Sequence, residues 1–120
     1  MLLPDKILNE KGCSVNPTQC RTADLISRYL ILTKEVMPQM ARDPGIRWPV
    51  HNDHCFQRII LDIVCNGVWY EHLARPAYKH LSREQAIYAV QLCEDIIANR
   101  ADLQNLNLQS LMWRGKRGLS

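Results

Sequence analysis

The chain has 120 residues, of which 47% are hydrophobic and 22% charged, the composition of one globular domain rather than two domains or a disordered chain. No apolar run approaches the roughly 20 residues of a membrane-spanning helix, so no membrane partner is expected. The net charge of +3 permits nucleic-acid binding without demanding it.

The opening Met1-Leu-Leu-Pro-Asp5 has neither a basic nor an extended apolar stretch, so no signal peptide is expected. The five cysteines are odd in number, and Cys55, Cys65 and Cys93 fall inside helical patterns. Both points predict a reducing, cytoplasmic setting. Residues 1–15 read as an N-terminal arm or short helix, with Pro4 near its start and Gly12 as its stop.

The first long helix is expected to begin at Asn16-Pro17, an N-cap followed by a first-turn proline. Leu25, Ile26, Tyr29, Leu32, Thr33, Val36, Met37 and Met40 then recur at helical spacing, while Lys34 and Glu35 fall off the stripe. Pro38 should end or kink this helix. Asp43-Pro-Gly45 and Pro49 mark a loop that also carries Arg42, Arg47 and Trp48.

A second long helix is expected from Pro49–Asp53 to about His72, with Asn66-Gly67 as a competing stop signal. Arg75-Pro-Ala-Tyr-Lys-His80 reads as a connector holding a basic cluster beside Tyr78. Ser82-Arg-Glu-Gln85 is a capping box opening the third helix, whose stripe is Ala86, Ala89, Val90, Cys93, Ile96 and Ile97. Asp102 caps a weaker helix with Leu103, Leu106, Leu111 and Met112, and residues 114–120 read as a flexible basic tail. With no period-2 strand, the expected fold is all-α: a compact single-domain bundle of three long helices plus one or two short ones.

The second helix carries the unusual chemistry. At about 100° per residue, His51, Arg58, Asp62 and Trp69 fall within about 20° of one another. His54, Cys55, Cys65 and His72 lie within roughly 60° of that line. Phe56, Ile60 and Ile63 occupy the opposite side, and Leu61, Val64 and Val68 flank it, so the helix is apolar over most of its circumference and should be buried. Arg four residues before Asp is the weaker order for an intrahelical ion pair. Two readings follow: a cleft that uses the polar stripe, or a structural network that satisfies it.

Three chemistries fit parts of the stripe. His51 and His54, with Cys55 or Asp62, supply part of a zinc set, but no complete ligand motif is present and no metal is assigned. Cys55 in a first helical turn with His51 one turn back resembles an activated thiol, yet no oxyanion hole or nucleophile signature accompanies it, and no catalytic residue or cofactor is assigned. An anion or small-molecule site accounts for most of the residues, with Arg58 as anchor, His51 and His54 as donors, and Asp62 orienting Arg58. Cys55, the loop residues Arg47 and Trp48, and Tyr78 complete the expected ligand-binding set.

Other partners are compatible with the chain. A basic tail beside Trp113 could track phosphates. The three Trp and four Tyr could anchor a protein interface, including that of a homodimer. The run His51-Asn-Asp-His-Cys-Phe-Gln-Arg58, with Trp69-Tyr70, Pro76-Ala-Tyr78 and Trp113-Arg-Gly-Lys116, resembles a group of short bacterial proteins of unsettled function, some labelled acetyltransferases. That label implies an α/β fold with a glycine-rich loop gripping coenzyme A. Neither the strands nor the loop is visible here, so no acetyl-transfer residue is carried over. The expectation is a small helical binding protein whose cleft takes a small anionic ligand or an acidic group of a partner.

Overall fold

The computed structural model describes residues 21–115, and every regular element among them is helical. The order is α1 (Thr22–Ile31), a π-helical turn (Leu32–Val36), α2 (Met37–Ala41), α3 (Asp53–Cys65), two 3₁₀ turns (Trp69–Glu71 and Ala77–Lys79), α4 (Arg83–Ile97) and α5 (Leu103–Trp113). The fold is all-α, and no helix among the described residues is long and apolar enough to cross a membrane.

α1, the π turn and α2 form one continuous rod, since the residues at both junctions keep right-handed helical angles. The expected start at Asn16-Pro17 lies outside the described residues, as does the short helix expected in 1–15. Within the described residues the rod opens at Thr22 behind an extended Arg21. Pro38 does not stop the rod, which runs on to Ala41. Proline lacks an N–H and its ring presses on the carbonyl four residues back. Here that carbonyl belongs to Lys34, inside the widened turn, so the wider winding relieves the clash.

α3 is the hub of the domain, packing on the rod, α4, α5 and the 69–71 turn. Phe56, Ile59 and Ile60 are fully buried on it and meet the rod's Leu25, Tyr29, Leu32 and Met37 and the α4 stripe Ala86, Ala89, Val90, Cys93 and Ile96 in one core. Burying each large apolar side chain contributes about 1.5–3 kcal/mol. Ala86 and Ala89 add little area but let α4 approach α1 closely.

The second helix is shorter than its periodicity predicts. Asn52 caps it, accepting from the Cys55 N–H at 3.0 Å. It ends at Cys65, where Asn66 turns left-handed with φ of 57°. The Gly67 N–H then reaches back to the Asp62 carbonyl at 3.0 Å, closing a Schellman motif. Trp69 and His72 therefore leave the helix and its stripe. α4 opens with the expected capping box, in which the Gln85 N–H donates to Ser82 Oγ and the Ser82 N–H donates to Gln85 Oε1. Asp102 caps α5 as expected, accepting from the Gln104 N–H.

Candidate functional site

The polar edge of α3 splits into a buried half and an open half. Asp62, fully buried at 0% exposure, is the centre of the first. It accepts from the Ser110 hydroxyl at 2.6 Å and from the Trp69 N–H at 3.0 Å. Arg114 grips it with both arms of the guanidinium, Nε at 2.7 Å and Nη2 at 3.0 Å. Two-pronged contact of this kind is the strong form of Arg–carboxylate pairing. The hydrogen bond to Asp62 holds the Arg114 guanidinium above its ordinary range, against the opposing pull of burial. Burial, followed by the Asp62 charge, likewise pushes the Cys65 thiol up.

Arg58 and Asp62 do not pair directly. Ser110 bridges them, accepting from Arg58 Nη1 at 2.8 Å while donating to Asp62. Arg58 Nη2 also donates to Asn107 Oδ1 at 2.7 Å. Asn107, Ser110 and Arg114 share one edge of α5 at helical spacing, so the network locks α5 to α3 and draws the 69–71 turn over Asp62. Asp62 thus orients Arg58 only through Ser110. Arg114 is a fixed member of this network rather than the start of a free tail; residues 116–120 lie outside the described residues.

The open half of the edge faces a cleft of about 530 Å³ between the middle of the rod, α3 and residues 75–78, which lead into the Ala77–Lys79 turn. Three cations reach it from three segments: Lys34 from the π turn, Arg58 from α3 and Arg75 from the connector. His54 joins them, its side chain 91% exposed and its Nδ1 3.2 Å from Asp53. Among the described residues no carboxylate lines the cleft. Lys34 and Arg75 have no carboxylate partner among the described residues.

Aromatic and apolar groups form the rest of the wall. The Arg75 guanidinium carbon lies 5.1 Å from the ring centres of both Trp69 and Tyr70, and Arg114 covers Tyr70 at 5.3 Å. Such stacking steadies Arg75 without cancelling its charge. Tyr78, Leu30, Leu61 and Pro76 also line the space. Beside it, the buried Thr33 hydroxyl donates to the Tyr29 carbonyl at 2.9 Å and accepts from Gln57 Nε2 at 3.1 Å. The π turn thereby fixes Gln57 in the wall. Single π turns within α-helices are frequent at functional sites.

Of the residues expected from sequence, His54, Arg58 and Tyr78 share this cleft. Arg47 and Trp48 line a separate groove of about 710 Å³ against the α4–α5 junction, where Trp48 packs edge-on to Phe56. His51 is exposed ahead of the Asn52 cap and lines neither space, and Cys55 is half-buried beside the core. Asp62 lies beneath the cleft rather than in it. Sequence reasoning missed Lys34, Gln57 and the α5 edge. Lys34 falls off the apolar stripe of the first helix, and only its position beside α3 gives it a role. Among the described residues no group of three or more His, Cys, Asp or Glu is placed to hold a metal.

No family model, curated protein or solved structure matches the chain. The described residues contain no strand, so the sheet that an acetyltransferase label implies does not form among them.

Proposed function

We propose that the chain is a small helical binding module that holds a small anionic ligand in the cleft between the rod, α3 and residues 75–78. The observation that carries this reading is that Lys34, Arg58 and Arg75, from three segments, line one space that no carboxylate lines among the described residues. Cations that line one space repel one another, and an anion placed there relieves that repulsion while gaining charge-assisted hydrogen bonds. Arg58 is preorganised by Ser110 and Asn107, so little side-chain freedom is lost when it engages a ligand. The cleft is read as a binding site, with no catalytic role. Cys55, Cys65 and Cys93 form no disulfide among the described residues, which supports a reducing, cytoplasmic setting.

Titration of the full chain with inorganic phosphate tests the reading. A saturable isotherm that weakens with added salt is expected, with at least tenfold loss in the Lys34→Gln/Arg75→Gln double variant and no loss in Arg42→Gln. Equal affinity in the wild type and the double variant would overturn it.

Self-association is a second reading, supported by Leu108 and Met112, which lie one turn apart on α5 and are 40% and 50% exposed. Sedimentation at rising concentration tests it, and a monomer throughout counts against it.

A further inference from the structure

The cleft holds more than a bare anion needs. Its volume of about 530 Å³ lies within the range of sites for whole small molecules, roughly 300–1,000 Å³. Beside the cations it presents Tyr78, 37% exposed, whose ring and hydroxyl have no partner among the described residues. Trp69, Leu30, Leu61 and Pro76 extend this apolar surface. A lone inorganic anion would leave all of it wet.

Charge narrows the choice further. Lys34 and Arg75 both lack a carboxylate partner among the described residues, and Arg58 stands beside them. A single carboxylate of charge −1 leaves such a site under-neutralised. A phosphate monoester carries about −1.5 to −2 at pH 7 and offers three strong acceptor oxygens. Aromatic side chains stack on planar rings with little regard to ring identity.

We infer that the cleft takes a phosphate monoester whose organic group bears a planar aromatic ring, with Lys34, Arg58 and Arg75 around the phosphate, Tyr78 against the ring and Trp69 at its edge; this rests on the anion-binding reading above. Two sources share that chemistry, a nucleoside monophosphate and a simple aryl phosphate.

Calorimetric titration of the full chain at fixed salt with adenosine monophosphate, phenyl phosphate, inorganic phosphate and adenosine tests the inference. At least one ring-bearing phosphate should bind fivefold or more tightly than inorganic phosphate, and adenosine at least tenfold more weakly than its monophosphate. Whichever ring-bearing phosphate binds better names the source. Tyr78→Ala, a change at an exposed position, should narrow the gap over inorganic phosphate to under twofold.

Inorganic phosphate binding as tightly as both ring forms would overturn this inference and leave the anion-binding reading standing. No binding of any phosphate would overturn both. A gap that survives in Tyr78→Ala and in Trp69→Leu alike would overturn the placement of the ring.

Discussion

Replacing Asp62 with Ala tests the network beneath the cleft. The carboxylate is wholly buried and takes four hydrogen bonds, two of them from an Arg114 side chain that is itself only 13% exposed. Its removal strands a guanidinium, a backbone N–H at Trp69 and a hydroxyl at Ser110. Breaking a buried ion pair from one side costs about 3–5 kcal/mol, because the surviving charge stays desolvated without a partner. A domain of this kind has about 5–15 kcal/mol in total, so the variant should remain folded but weakened. With a urea slope near 2 kcal/mol/M, the midpoint falls by about 1.5–2.5 M. Urea unfolding followed by circular dichroism reads this directly. Asp62→Ala/Arg114→Met should lose less than the sum of the two single changes, since the stranded cation is gone. A loss below about 1 kcal/mol for Asp62→Ala, or strict additivity in the double variant, would refute the reasoning.

Arg58→Met removes two hydrogen bonds to α5 and should cost about 1–3 kcal/mol, leaving the chain folded while its phosphate isotherm weakens. A folded variant with unchanged affinity would remove Arg58 from the site. Ser82→Ala breaks the α4 capping box and should cost about 1 kcal/mol, a fall of roughly 3–6 °C in the thermal midpoint; no shift would mean the cap is not limiting. Burial pushes the Cys93 thiol and the Tyr29 hydroxyl well above their ordinary values. The folded state therefore keeps both protons where the unfolded chain releases them. Their contribution to stability should be level below the ordinary thiol value of 9.0 and fall as pH rises past it and past the phenol value of 10.0. Urea unfolding across that range checks this, with Cys93→Ala showing a shallower fall, and stability that rises with pH would contradict it.

The helix set was legible because its signals are local. Ser82 with Gln85, and Asp102 ahead of Gln104, mark helix starts by side-chain chemistry alone. The stop at Asn66-Gly67 was legible as well, but apolar residues continue past it to Val68, and periodicity ran on through the break. Pro38 marks a disturbance near the end of the first helix, and the structure meets it with a widened turn one turn back, a form that no local pattern specifies.

The site was only half legible. Helical phase placed Arg58 and Asp62 on one edge, yet their partners Ser110 and Arg114 lie some fifty residues on, and no local pattern pairs them. Arg47 and Trp48 looked close to His54 in sequence and turn out to line another groove. Lys34 and Arg75, from the first helix and the connector, meet at the cleft only through packing.

The most direct test of the anion site is amide chemical-shift mapping of the full chain during a titration with inorganic phosphate. Saturable shifts centred on Lys34, Gln57, Arg58, Arg75 and Tyr78 are expected. Shifts centred instead on Arg47, Arg100 and Gln104, or none that saturate, would contradict the anion-binding reading.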